Sequence, residues 1–357
     1  MKYLNIAKAM ETWRSIQPLS DRDRERLSRK FTVDFNFNSN HIEGNTLTYG
    51  QTELLLLFGK VVGEAEMKDL EEMKASNVGL KMMQEQALIK DMPLTQSFIR
   101  QLHKVLLRED YTVYRDLPGG MQASYVIHAG QYKTRPNSVI TRYGDRFEYA
   151  SPEETPALMA DLVNWYNTEE AKGKISPVEL ATLFHYRYIR IHPFEDGNGR
   201  IARLMVNFIF ARHDYPMIVI RSRDKKNYLE ALHRADLAVG STPSIGAHAP
   251  LDHIRPFSKY FTALVAKEIY NDVRFITEPD ENVWWYDGLR VEFRTPNYAR
   301  ILRIMQSEPS VTIDSLHEQL GINKSAVQRL LGSLKEKSYI EPAGEGSGWR
   351  VLITPSI

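Results

Sequence analysis

Ile191-His192-Pro193-Phe194-Glu195-Asp196-Gly197-Asn198-Gly199-Arg200-Ile201-Ala202-Arg203 is the stretch from which the fold is read. A helix from Val178 to about Arg190 runs into it, and a helix carrying apolar Ile201, Leu204, Met205, Phe208 and Ile209 leaves it. Gly-Asn-Gly at the start of a helix lets the backbone take positive φ and brings several N–H groups close to a ligand. Those donors and the helix dipole favour an anion. Arg200 stands in the first turn, where a cation is misplaced unless an anion neutralises it, and Arg203 can lean the same way. The pair suits a polyphosphate. Asp196 suits a hard cation such as Mg²⁺ held between carboxylate and phosphates, and His192 is a side chain able to take a proton near neutral pH. A plain helical joint would also use the glycines for its turn and pair an arginine with the aspartate. A base, an acid of metal-binding type, an anion cradle and two arginines within twelve positions favour the chemical reading. No P-loop lysine follows, which excludes a Walker phosphate loop.

Outward from this loop, helical spacing dominates the first 270 positions. Leu54, Leu57, Phe58 and Val61 follow it, as do Phe98, Leu102, Val105 and Leu106. Between Gln131 and Tyr149, Pro136-Asn137 and Tyr143-Gly144-Asp145 punctuate β-prone pieces such as Ser138-Val139-Ile140-Thr141, which predicts a hairpin. Ser151 with Pro152-Glu153-Glu154 predicts a helix start near Pro152, with Leu158, Leu162, Trp165 and Tyr166 as its buried stripe. Ser176-Pro177-Val178-Glu179 repeats the signal. Ser241 to Pro256 reads as a long connection, and Thr277 to Asn282 as an interdomain linker. Beyond it come a helix from Tyr298 to Met305, a short helix opened by Thr312 and stopped by Gly321, and a helix from Asn323 to about Lys337. A turn at Gly344 to Gly348 and a strand from Trp349 to Ile353 complete the order of a winged helix-turn-helix.

Composition bounds the alternatives. A length of 357 residues allows two domains, or one large domain with an appendage. The balance of 46 basic against 45 acidic residues gives no global pull toward nucleic acid or membrane. With no cysteine, disulfides, thiolate nucleophiles and cysteine-ligated metals are excluded. The N-terminal stretch has no apolar h-region, and the longest apolar run, Leu54 to Phe58, falls far short of the ~20 residues of a membrane span. The expectation is a cytoplasmic protein with no membrane partner.

His192 to Arg203 matches the HPFx(D/E)GNGRxxR signature of the Fic (Fic/DOC) family at every defined position, and His185 and Arg190-Ile191 before it also resemble the family. The resemblance implies a mainly α fold: a Fic-type helical core with a β-hairpin flap, plus the winged helix-turn-helix. It divides the chain into an N-terminal helical region with an inhibitory helix (1–95), a catalytic core (96–276) and the winged domain (277–357). It also implies a protein adenylyltransferase that moves AMP from ATP to a Ser, Thr or Tyr hydroxyl of a target protein. Carried over by position, His192 deprotonates the target hydroxyl and Asp196 holds Mg²⁺. Gly197, Asn198 and Gly199 form the anion hole, and Arg200 and Arg203 bind the outer phosphates of ATP. Phe194 anchors the loop. Catalysis of this kind is mostly positioning and charge stabilisation. The hairpin resembles the family's flap, whose Thr134, Val139 and Ile140 would dock the target by strand addition; an ordinary surface hairpin reads the same way.

Ser39-Asn40-His41-Ile42-Glu43-Gly44 resembles the family's inhibitory pattern, (S/T)xxxE(G/N), with Ser39 and Glu43 as its inhibitory residues. The resemblance implies that Glu43 points at Arg203, that the pair occupies the space the γ-phosphate needs, and that ATP then binds only unproductively. A helix end with Gly44 beyond it is a compatible reading. Some family members with this glutamate also remove AMP, using it to position a water, so the direction of reaction stays open. Tyr228 and Asp236 fall where the family lines its adenine pocket; a core tyrosine explains Tyr228 equally. His41, His185 and His233 have no paired ligand at helical spacing. Trp284-Trp285-Tyr286, flanked by acids, reads as packing between domains rather than a nucleic-acid platform.

From Arg290 to Ile357 nine basic residues face seven acidic ones, less basic than a dedicated DNA reader. Asn323, Lys324, Ser325, Gln328 and Arg329 nevertheless offer groove-reading chemistry, with Lys335 and Lys337 for phosphates. Two readings compete: a protein-modifying enzyme whose winged helix recruits its target, or a DNA-binding transcriptional regulator whose core senses nucleotide. Transfer of a different nucleotide and assembly as a homodimer are both compatible with the sequence.

Overall fold

A computed structural model describes residues 5–116, 122–140, 146–278, 281–342 and 348–352. The chain divides into two compact units that interleave in sequence. One comprises residues 1–11, 38–45 and 71–269; the other comprises 12–37, 46–70 and 270–357.

The opening helices are α1 (Ile6–Ser15), α2 (Asp21–Ile42), α3 (Tyr49–Phe58), α4 (Met67–Leu88) and α5 (Gln96–Leu107). The strands β1 (Tyr111–Asp116), β2 (Gln122–Ile127), β3 (Ser138–Ile140) and β4 (Arg146–Glu148) follow. Helices α6 (Thr155–Lys172), α7 (Pro177–Ile191), α8 (Asn198–Arg212), α9 (Lys225–Val239), α10 (Pro243–Ala247) and α11 (Arg255–Thr277) come next. The chain closes with β5 (Val283–Tyr286), β6 (Leu289–Glu292), α12 (Pro296–Ser307), α13 (Ile313–Leu320), α14 (Lys324–Glu336), β7 (Ile340–Pro342) and β8 (Trp349–Val351). Among the described residues, no helix is long and apolar enough to cross a membrane.

In the first unit, α7 and α8 form the centre. Both are buried at nearly every position, including Phe184, Tyr188, Ile201, Met205 and Phe208, as expected of helices enclosed by others. Ser176 caps α7 in a full capping box with Glu179, and Pro177 takes the first helical position. Two antiparallel hairpins, β1–β2 and β3–β4, stand beside this helical body in the sequence order.

Several expectations need correction here. The helix after Ser151 begins at Thr155: Ser151 and Glu154 do exchange capping bonds, but around a turn that precedes the helix. Val61 lies beyond α3, which Gly59 stops in the left-handed conformation, and both Phe58 and Val61 are exposed. Ser241 to Pro256 is ordered into α10, a 3₁₀ turn at Leu251–Ile254 and the start of α11. Buried arginines explain that order. Arg190 donates to Gly240 O and Thr242 O, Arg187 donates to Ala249 O, and a Cβ on Gly246 would collide with the Arg190 guanidinium. The β1–β2 hairpin was not anticipated, although Tyr111-Thr112-Val113-Tyr114 and Tyr125-Val126-Ile127 carry strand-type residues.

The second unit packs the Trp284 and Tyr286 side chains with Val33, Phe37 and Tyr49 and with Ile301, Leu302, Leu331 and Leu334. Trp284-Trp285-Tyr286 therefore belongs to the interior of one unit, in β5, paired with Leu289–Glu292. Thr312 and Asn323 cap α13 and α14 through their side chains, and Gly321 ends α13 in the left-handed conformation. The β7–β8 pair supplies the wing strands. Pro279 and Asp280 of the expected linker, Tyr143-Gly144-Asp145, Gly344, Gly346 and Ile353 lie outside the described residues.

Candidate active site

The loop between α7 and α8 is held by its own residues. Asn198 is buried; its Oδ1 accepts from Phe194 N and its Nδ2 donates to Phe194 O at 2.7 Å. The Asn198 side chain is thus engaged in closing the loop, leaving backbone N–H groups to face a ligand. Gly197 takes φ 75°, and His192, at the end of α7, takes φ 51°. A non-glycine residue in this region carries a cost of roughly 1–3 kcal/mol that its surroundings must offset. Phe194 is fully buried and stacks on His103 at 3.7 Å between ring centres. His103 Nδ1 accepts from Gly130 N, so its Nε2 is the nitrogen that donates to Asp196 O at 3.0 Å.

His192 stacks under Tyr149, at 3.9 Å and 13°. Burial pushes its imidazole down to about 3, and the Lys133 charge adds to the push. At neutral pH the ring is the free base, ready to accept a proton but weaker than an exposed histidine. The sequence expectation of a pKa near neutrality therefore fails, because the ring is enclosed. The Asp196 carboxylate accepts from the Tyr111 hydroxyl at 2.8 Å and pairs with Arg200 at 3.3 Å. Burial opposes its charge, but Arg200 and the Tyr111 hydrogen bond prevail and hold the carboxyl below its ordinary value.

Glu43, at the turn ending α2, reaches the other arginine. Arg203 Nη2 donates to Glu43 Oε1 and to Ser39 O, both at 2.7 Å, while its Nε donates to Ser39 Oγ at 3.0 Å. Arg203 is almost wholly buried, and these three acceptors, together with the neighbouring Tyr228 hydroxyl, surround its charge. Burial would raise the Glu43 carboxyl, but Arg203 and Arg200 together hold it below its ordinary value. A Cβ on Gly199 would collide with Glu43 Oε1. The carboxylate therefore lies directly over the first turn of α8, where an anion would be received.

A cavity of about 520 Å³ opens here, lined by Glu43, His192, Gly199, Arg203, Tyr149, Tyr228 and Asp236 among others. Tyr228 is buried with its hydroxyl 2.9 Å from His185 Nε2. Asp236 accepts from Tyr186 and Arg190, and burial raises its carboxyl despite them. Thr134 is exposed, its N and Oγ1 directed at Glu195 Oε1 at 3.4 and 3.2 Å. Val139 and Ile140 stand in β3 opposite Phe147 and Arg146. Lys133, Asn137, His103 and Tyr111 carry no motif in the sequence, because each reaches the loop across 55 or more positions.

Among the described residues, no group of three His, Cys, Asp or Glu side chains could hold a metal ion. Mg²⁺ bound to a nucleotide needs only one or two carboxylates beside the phosphates. Asp196, ionised and at the loop that would carry those phosphates, fits that requirement.

Residues 93–210 match the Fic/DOC family, and residues 299–341 match a family described as winged helix-turn-helix DNA-binding. A protein adenylyltransferase, fic-1, of Caenorhabditis briggsae is 27% identical over 235 residues, 66% of this chain and 40% of the relative. The Caenorhabditis elegans fic-1 is 28% identical over 236 residues, with the same shares. The chain thus spans about 40% of the length of these curated relatives. A solved Fic domain containing signaling protein from Bacteroides thetaiotaomicron is 53% identical, with a TM-score of 0.71, over 77% of this chain and 97% of that one.

Proposed function

This chain belongs to the Fic/DOC family, and from that premise we propose that it is a protein adenylyltransferase restrained by Glu43. In this reading a Ser, Thr or Tyr hydroxyl of a target protein bonds to the α-phosphorus of ATP, the α–β bond breaks, and pyrophosphate leaves. The observation that carries it is the contact of Glu43 with both Arg203 and the space above Gly199, in a cavity that also holds His192. A phosphate that reached Arg203 would have to displace that carboxylate.

The chemistry follows from the placement. His192 in its neutral form accepts the proton of the attacking hydroxyl. Backbone N–H groups of Gly197 to Gly199 and the arginines receive the phosphates, and Tyr228 and Asp236 line the far side of the cavity. Asp196 would hold Mg²⁺, which neutralises phosphate charge. Thr134 and the β3 strand, with Val139 and Ile140, would align the target segment. The same site with Glu43 in place would also remove AMP by hydrolysis: Glu43 positions a water, the water oxygen bonds to phosphorus, and the target hydroxyl leaves with AMP released. The functional division follows the sequence reading: an N-terminal region (1–95) supplying inhibition, a catalytic core (96–276) and the winged domain (277–357).

The test uses ATP labelled at the α- or γ-phosphate with purified protein, Mg²⁺ and cell lysate, comparing the parent, Glu43→Gly and His192→Ala. Label from the α-position alone, increased in Glu43→Gly and lost in His192→Ala, supports AMP transfer. γ-label on protein would overturn it.

A second reading rests on the match of residues 299–341 to a DNA-binding family, with Asn323, Lys324, Ser325, Gln328 and Arg329 all exposed on or before α14. Here the protein is a DNA-binding regulator. Binding to a duplex should weaken steeply with salt, and Arg329→Ala should weaken it further. No salt-dependent binding to any duplex would remove this reading.

A further inference from the structure

We propose that Lys133 is a positioning residue for His192, bolting the segment that leads into β3 to the catalytic loop. The inference rests on His192 being the base of the proposed transfer. Lys133 is almost wholly buried, yet its ammonium is fully occupied. Nζ donates to Ile191 O at 3.0 Å, His192 O at 2.9 Å and Asn137 Oδ1 at 2.8 Å, and the Lys133 backbone N–H donates to Pro193 O at 2.9 Å.

Two of these acceptors are the last carbonyls of α7 and its cap, groups with no partner inside the helix and at its negative end. A cation there satisfies them and holds His192 in its left-handed backbone conformation. Asn137 extends the clamp, donating through Nδ2 to Phe194 O at 2.9 Å and His192 O at 3.3 Å. Ser138, the next residue, begins β3, so one lysine and one asparagine set the register between a strand edge and the imidazole.

The charge has a second consequence. Lys133, Glu43 and Asp196 are the charged groups that act on the His192 ring, and Tyr149 covers its face. Lys133 is the one that favours the neutral ring. Burial brings the Lys133 ammonium itself down to about 7, with Glu154 supporting its charge. A lysine side chain buried for packing alone would need neither the three acceptors nor a place beside the base.

The test compares Lys133→Met, Lys133→Arg and Asn137→Leu in the Glu43→Gly background. Two measurements are made: α-label transfer against ATP concentration, and titration of the His192 imidazole by NMR between about pH 2.5 and 7. In Lys133→Met, kcat should fall about tenfold or more with the ATP KM within about twofold, because Lys133 does not line the nucleotide cavity. The imidazole should titrate about one unit higher. Lys133→Arg should restore the low titration. Asn137→Leu should lower kcat with the titration unmoved, and it serves alone if the methionine variant does not fold. An unchanged kcat in Lys133→Met or Asn137→Leu, or a His192 titration indifferent to the charge at 133, would overturn the proposal. The NMR arm reads even if no label is transferred, so failure of the AMP reading is distinguishable from failure of this one.

Discussion

Glu43 Oε1 and Arg203 Nη2 lie 2.7 Å apart across 160 positions of sequence, and the same oxygen covers Gly199. One carboxylate thereby governs both the guanidinium and the backbone at the start of α8. In the function proposed above, inhibition is then a matter of steric and charge occupancy, which can be taken apart one group at a time.

The charge of Glu43 should persist into acid. Burial raises its carboxyl, but the two arginines lower it further, so the folded value lies below the ordinary 4.5. A depressed carboxyl contributes its pairing above the unfolded value and loses it only as pH falls through the folded one. The factor by which Glu43 holds labelling down, read as Glu43→Gln over parent, should therefore stay flat from about pH 8 to 5. Glu43→Gln, which keeps the size and removes the charge, should raise labelling across the whole range. A parent rate that closes on that of Glu43→Gln as pH falls from about 6 to 5 would contradict the pairing.

Gly199→Ala places a methyl where Glu43 Oε1 lies, and the next nearest atom there is Arg203 Nη1 at 3.0 Å. The glutamate end is flexible and partly exposed, so it should yield. We expect the alanine to destabilise the parent by about 1 kcal/mol and the Glu43→Gly variant by less, a coupling of about 0.5 kcal/mol or more in a double-mutant cycle. Thermal unfolding measures it. Strict additivity would show that the two groups do not share space.

The second unit carries its own pH signature. Glu53 is pushed up to about 7, by burial first and then by the Asp34 charge, against a hydrogen bond from Gln306. A raised carboxyl makes the native state bind more protons than the unfolded one between about 4.5 and 7. Stability of this unit should then decline as pH rises through that window and level off above it, by on the order of 2 kcal/mol. Glu53→Gln should remove the slope and unfold at a higher temperature at pH 8 than the parent, since a glutamine still accepts the Gln306 bond. A parallel pH dependence in both proteins would place the slope elsewhere.

Phe194→Ala should unfold the loop's support. The ring is fully buried and stacked on His103, which in turn ties Gly130 to Asp196. Loss of about 3–5 kcal/mol is expected from the cavity alone. Label transfer in the Glu43→Gly background should fall even at temperatures where the variant remains folded. Chemical denaturation and labelling on the same sample check both.

What the sequence by itself determined is local. The Ser176 capping box, the Gly197 turn, the left-handed Gly321 and the Asn323 cap all follow from neighbours within four positions, because helix ends are satisfied by adjacent side chains. The loop motif was legible for the same reason: its base, acid, glycines and arginines are contiguous, and the helix order of the winged domain could be read alongside it. The β1–β2 strands are equally local, yet Tyr111 to Tyr114 follows directly on α5, whose helical pattern masks their alternation. Tertiary structure alone decided the rest. Burial sets the His192 proton affinity, and Lys133 and His103 reach the loop from 59 and 93 positions away. Arg187 and Arg190 order a stretch that composition marks as loop, because buried guanidinium groups must find carbonyls wherever the fold brings them. A charge buried among distant partners leaves no periodic trace in the chain, so its role is visible only once the helices have packed.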